Sequence, residues 1–414
     1  MSKSEKGHFK LIRGGTLIDG TGSSPKENTG ILIEGSTIEA VDKNTDVPPE
    51  TEIINATGMT VMPGLIDSHV HFRGTIKGGL LERLINPREL GLIQSISDAK
   101  TLLASGYTTA KCCGGSNALF LKQAVAEGIL PGMPRIIAAG YWLSQTFGHA
   151  DAPYLPLEYV DVRTSRHSSN VTNSLICDGV DECIKAARYA LRAGSDFIKI
   201  STTGGFSSIG DRPTDIQYNL DEIKAIVQTA EQVGKYVTAH CEMSLKAMKQ
   251  SIIGGVKTVD HALLTDDECV GLAMEKDVIF VSTTIVFRNA IEAGRDVGKK
   301  LMESYKRIHK AGATLATGTD TGLGAQTFGT NALELELLVK YCDFSPMDAI
   351  VAATRNGAKA CFMGDRTGTI EPGKYADIII VDGNPLEDIA VLQNTDKIAT
   401  VILEGKLEKQ SLTN

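Results

Sequence analysis

The sequence has no apolar run approaching the ~20 residues that a bilayer-spanning helix requires, so no membrane segment is expected. Its first residues, Met1-Ser-Lys-Ser-Glu-Lys, are polar with no apolar stretch behind them, and a secretion signal is not expected either. It has no excess of basic charge. With 42 Lys and Arg against 50 Asp and Glu the net charge is -8, which argues against nucleic acid or an anionic membrane as partner. None of the eight cysteines falls in a C-x-x-C pair, and several lie in apolar, strand-like runs, as buried free thiols do. A reducing, cytoplasmic setting is expected. Also missing are a Gly-rich phosphate loop after a strand, a short internal repeat and a low-complexity linker. What remains is the composition of a globular enzyme acting on a small molecule, with a homo-oligomer expected.

The 414 residues exceed the roughly 250–300 at which one core stops growing, so one large domain and one smaller one are expected. The 42 glycines point to many tight turns near a backbone-lined site. From Phe9 to Val61 short β-like runs alternate with Gly turns, and Gly368 to the C-terminus repeats that signature. The two ends are therefore expected to pair into one β-sandwich, residues 1–60 with 365–414.

Between them, over residues 61–364, apolar strand runs alternate with helix-length amphipathic stretches, the rhythm of βα units around a parallel sheet. Strands are expected at 61–69, 108–113, 135–140, 197–201, 236–240, 258–261, 278–283 and 314–320. A helix is expected at 221–233, with Asp221 where the dipole favours it. Eight such units fit an α/β fold of (β/α)8 TIM-barrel type, whose sites lie at the C-terminal strand ends. A doubly wound open sheet is the alternative.

The chain is organised around Pro63-Gly-Leu-Ile-Asp-Ser-His-Val-His71. Side chains two apart on a strand share a face, so His69 and His71 are able to reach one point, a metal-binding geometry. Lys199, His240, His261 and Asp320 fall at or near the ends of strands four, five, six and eight, and four of only eight histidines are in this set. Imidazole suits Zn, Fe, Mn, Ni or Co, and a catalytic site keeps open positions for water and substrate. Lys199 lies in an apolar run, where burial favours the uncharged amine. Such an amine reacts with CO2 to give a carbamate able to bridge two metals. Asp320, flanked by Gly318 and Gly322, is placed to take a proton from metal-held water.

This set resembles the amidohydrolase superfamily, the group of dihydroorotase, urease and phosphotriesterase. The resemblance covers nearly the whole chain, including the closing motif of Gly368, Ile370, Gly373, Ala376 and Asp377. It implies His69, His71 and Asp320 on the more buried of two divalent metals, with zinc expected. It also implies His240 and His261 on the more exposed metal, and N6-carboxylated Lys199 as the bridge. Within the superfamily the chain is most similar to the imidazolonepropionase-like and prolidase-like branch, which includes Xaa-Pro dipeptidases and an arginine carboxypeptidase. Gly148-His149-Ala150-Asp151, Gly204-Gly205 and Gln217-Tyr218 carry that likeness. The branch implies that His149 holds the scissile carbonyl oxygen, and Tyr218, Glu242 and Arg288 are read beside it as substrate-binding. Glu242 departs from the branch, which often has Tyr or His there, and a carboxylate would repel a substrate carboxylate or attract a cationic group. Amide hydrolysis of a dipeptide or N-acyl amino acid is expected, with a cyclic amide, carbamate, lactone or ester as the alternative bond. The loops 141–173 and 204–219 are expected to set specificity.

Overall fold

The structure is a computed structural model that describes residues 8–42, 47–74, 86–164, 173–323 and 326–411. The polar N-terminal residues 1–6 and residues 165–172 of the expected specificity loop lie outside them.

Eight parallel strands form a barrel: Leu65–Val70, Tyr107–Cys112, Arg135–Ala138, Ile198–Ser201, Val237–Cys241, Thr258–His261, Ile279–Ser282 and Leu315–Thr317. All but the third are buried along their whole length, as strands with one face in the barrel and the other under helices must be. The first three pair in one ladder and the last five in another. Asp196 N donates to Ala138 O at 2.8 Å between the third and fourth strands, and a bridge from Val70 to Thr321 joins the first strand to the chain beyond the eighth. The helix expected at 221–233 runs over Leu220–Glu231. Asn219 caps it by accepting from Asp221 N and Glu222 N, while Glu222 returns a bond to the cap, two local signals that set the start one residue earlier.

Two short strands were not expected. Trp142–Ser144 pairs in parallel with both Ser174–Ile176 and the fourth barrel strand, extending the sheet beyond the ring. Runs of three residues carry too little alternation to be read as strands.

Both chain ends build the β-sandwich. One sheet holds Phe9–Arg13, Gly30–Glu34, Thr37–Asp42 and Glu52–Asn55. The other joins Thr16–Leu17, Lys26–Glu27 and Thr60–Pro63 to Ile378–Val381, Ile398–Leu403 and Lys406–Gln410. Their shared core is Ile-rich, with Ile12, Ile31, Ile33, Ile378, Ile380 and Ile402 fully buried. Pro63 pairs with Ile378, and Leu65 opens the first barrel strand two residues later.

Candidate functional site

His69 lies near the end of the first barrel strand and His71 just past it. His71 Nδ1 is 2.7 Å from Gly114 O, an atom that only accepts, so the ring's proton is on Nδ1 and the Nε2 lone pair is free. His69 Nδ1 is 3.0 Å from Asp260 Oδ2, which selects the same tautomer. The two Nε2 atoms are 3.2 Å apart, and Asp320 Oδ1 lies 3.3 Å from one and 2.9 Å from the other. Three candidate ligand atoms therefore meet at one point. Burial lowers the His69 imidazole, but Cys113 and Asp260 raise it well above its usual value, so a divalent cation taken up by this donor set displaces a proton from the ring.

Local backbone delivers Asp320 to this point. The residue adopts φ +55, and its N–H donates to His69 O at 2.7 Å. A Cβ on Gly322 would fall 1.9 Å from His71 O, so this close return of the chain requires glycine. Burial raises the Asp320 carboxyl, but His69 and His71 hold it well below the usual range. Burial pushes His71 down to about 4 and holds His240 and His261 well below the usual imidazole value, which leaves them as neutral ligand-competent rings.

The other ligand candidates adjoin this group. The His261 ring is 4.9 Å from His69 and 4.5 Å from His240. His261 Nδ1 is 2.9 Å from Thr283 Oγ1, and His240 Nε2 is 3.2 Å from Gly204 O. His240 Nδ1 is left buried without a hydrogen-bond partner, an orphan that a second cation would satisfy. Lys199 is fully buried, but its surroundings are not apolar: Nζ pairs with Asp260 Oδ2. Burial raises Asp260, and Lys199 and His69 together hold it well below the usual carboxylate range.

His149 lies over these candidate ligands. Its ring stacks on His240 with centroids 4.3 Å apart, and Trp142 meets it edge-on at 5.4 Å while stacking on His71 at 5.9 Å. His149 Nδ1 is 2.7 Å from Ser208 Oγ and 3.2 Å from Asp211 Oδ2. A Cβ on Gly205 would come within 2.2 Å of the ring, so the residue below it has to be glycine. Glu242 Oε1 is 3.9 Å from His240 Nε2, its Oε2 is buried without a hydrogen-bond partner, and burial raises the carboxyl well above its usual value.

A cavity of about 140 Å³ opens against His149 and Trp142, with Arg73, Tyr154, Val160 and Leu323 also on its wall. Two expected substrate-binding residues are elsewhere. Tyr218 adopts φ +53, which turns its side chain into the core, where Oη is 3.1 Å from Cys177 Sγ. Arg288 is half exposed, with Nε 2.9 Å from Glu292 Oε1, and lines a separate cavity with Gln326 and Leu333.

Sequence reasoning missed Asp260 and Trp142. Strand alternation sends Asp260 and its neighbour His261 to opposite faces. Instead His261 adopts φ +71, and both approach the centre. An acidic residue directly before the strand-six histidine was the available signal.

The model of the amidohydrolase family matches residues 60–407. An ochratoxinase of Aspergillus niger is 31% identical over 440 residues, covering 99% of this chain and 88% of that protein. The crystal structure of an Xaa-Pro dipeptidase with bound methionine superposes with a TM-score of 0.84 at 31% identity, covering 96% of this chain and 99% of the other. An imidazolonepropionase of Deinococcus deserti is 21% identical over 396 residues, 92% of each chain.

Proposed function

Because this chain belongs to the amidohydrolase family, in its imidazolonepropionase-like and prolidase-like branch, we propose that it is a binuclear metal-dependent hydrolase. The bond cleaved is an amide next to the C-terminal residue of a dipeptide or N-acyl amino acid. The observation that carries this reading is the convergence of His69 Nε2, His71 Nε2 and Asp320 Oδ1 within 3.3 Å of one another. The Xaa-Pro dipeptidase among the similar structures supports a dipeptide-sized substrate.

His69, His71 and Asp320 would hold one zinc ion, His240 and His261 the other, and carboxylated Lys199 would join them. Cations held there supply Lewis acidity, polarising a carbonyl and lowering the pKa of water. Asp320, kept ionised by the two imidazoles, accepts the proton of the attacking water and returns it to the departing nitrogen. His149, its ring fixed by His240, Gly205 and Asp211, steadies the carbonyl oxygen as negative charge develops. The stack of Trp142 on His71 and against His149 keeps bulk water from the reacting face.

Metal analysis paired with a screen of dipeptides and N-acyl amino acids tests the reading. Close to two divalent ions per chain and amide turnover are expected. A stoichiometry held at one ion, or turnover confined to lactones and esters, would replace it.

A further inference from the structure

Resting on the reading of Lys199 as a carbamate, we propose that Lys111 is a positioning residue for the reaction, the cation that Asp260 keeps inside the barrel once Lys199 has given up its positive charge. Lys111 belongs to the second barrel strand and is fully buried. Lysine almost never lies so deep without compensation. Its close partners are neutral: Nζ donates to Thr258 Oγ1 at 3.1 Å and lies over the rings of Phe197 and Tyr236, 4.8 and 5.4 Å from their centroids. The ring faces stabilise an ammonium without neutralising it, so its field reaches whatever else is buried nearby.

That field falls on Asp260. Thr258 and Asp260 are two apart on the sixth strand and share a face. Thr258 Oγ1 accepts from Lys111 and has its own proton to give, toward Thr238 Oγ1 at 2.9 Å or Asp260 Oδ1 at 3.5 Å. One hydroxyl therefore separates the ammonium from the carboxylate. The other oxygen of Asp260 faces His69 Nδ1 and Lys199 Nζ. Burial raises the Asp260 carboxyl, while Lys199, His69 and Lys111 all lower it. The carboxylate thus lies between two buried lysines, Lys199 in direct contact and Lys111 through Thr258.

Carboxylation changes the sign of one of them. A bond forms from Lys199 Nζ to the carbon of CO2, an electron pair of one C=O moves to oxygen, and the ammonium gives up two protons to water. A cation beside Asp260 becomes an anion, and like charges so close are unfavourable where neither is exposed. Cations at the histidine centre offset the carbamate. Lys111 remains for Asp260, which then keeps its place against His69 Nδ1.

The test follows the carbamate carbon by NMR in full-length protein loaded with zinc in rising concentrations of carbon-13 bicarbonate, with metal content measured alongside. Lys111→Met and Lys111→Gln should need about 10–100-fold more bicarbonate for half-occupancy, the worth of one buried charge a hydroxyl away at an effective dielectric of about 20. Lys111→Gln keeps a donor for Thr258 Oγ1, so it separates the charge from the hydrogen bond, and it decides the matter if Lys111→Met does not fold. Lys111→Arg, which keeps the charge, should recover part of the loss. A merely structural lysine would leave the bicarbonate requirement where it is. An unchanged requirement in Lys111→Gln, or a loss in Lys111→Arg as large as in Lys111→Met, would overturn the proposal. The two readings fail differently. No carbamate signal in the wild type at any bicarbonate concentration strikes the carbamate itself and this proposal with it, whereas a signal that Lys111→Gln forms equally well strikes Lys111 alone.

Discussion

Asp260 Oδ2 stands 3.0 Å from His69 Nδ1 at a point where neither side chain is exposed, and the same oxygen is the partner of Lys199 Nζ. One carboxylate thus orients a candidate ligand histidine and pairs with a buried amine.

Asp260→Ala should therefore act twice. Losing the group that orients a candidate ligand imidazole should lower metal affinity by about 10–100-fold, and in chains whose Lys199 is not carboxylated it leaves that amine without its partner, at a cost of about 3–5 kcal/mol if the amine is charged. Asp260→Asn keeps an acceptor for His69 Nδ1–H and should bind metal better than Asp260→Ala. Chelator competition and denaturant titration on both variants check this, and equal metal affinity in wild type and Asp260→Ala would refute it.

Lys199→Ala should abolish activity and lower the metal content together. A short carboxylic acid with excess metal should restore part of both by supplying the missing oxygens. Lys199→Arg should not respond, since a guanidinium forms no carbamate and keeps its charge in the barrel. Wild-type turnover in Lys199→Ala would show the lysine to be a barrel-filling residue.

His149→Ala should lower kcat by about 10²–10³, the loss seen on removing one oxyanion donor. Gly205→Ala should move in the same direction without removing any polar group, because its new methyl occupies the space of the His149 ring. A raised KM with kcat intact in His149→Ala would assign the ring to ground-state binding instead.

Glu334 accepts bonds from Ser282 Oγ, Thr284 N and Ile285 N, yet burial pushes its carboxyl up to about 7. The folded chain holds this proton more tightly than the unfolded chain, so stability is fully present below the unfolded value near 4.5 and is lost as pH rises through about 7. That loss amounts to about 3 kcal/mol at most. Glu334→Gln should be less stable at pH 5, because its amide faces a backbone N–H, but its stability should fall less between pH 5 and 8. Denaturant curves that stay parallel across that interval would discount the effect.

The barrel and the terminal sandwich were legible because apolar strand runs and turn glycines are local signals, read without knowing what packs against what. The histidines and Asp320 were legible because each lies at or just past a strand end. Asp260 was hidden because alternation assigns it the wrong face until the left-handed turn at His261 is known. Tyr218 misled for the related reason that its own left-handed backbone directs the ring inward.

The pairing of Thr60–Pro63 with Ile378–Val381 has a bearing on biosynthesis. Gly64 N donates to Asp377 O at 2.9 Å, so the lead-in to the first barrel strand is fixed by residues that leave the ribosome long after it. Contacts so distant along the chain are slow to form and keep the unpaired strand exposed in the meantime. The nascent chain must wait with its Thr60–Pro63 edge open, the interval in which a chaperone has most to protect.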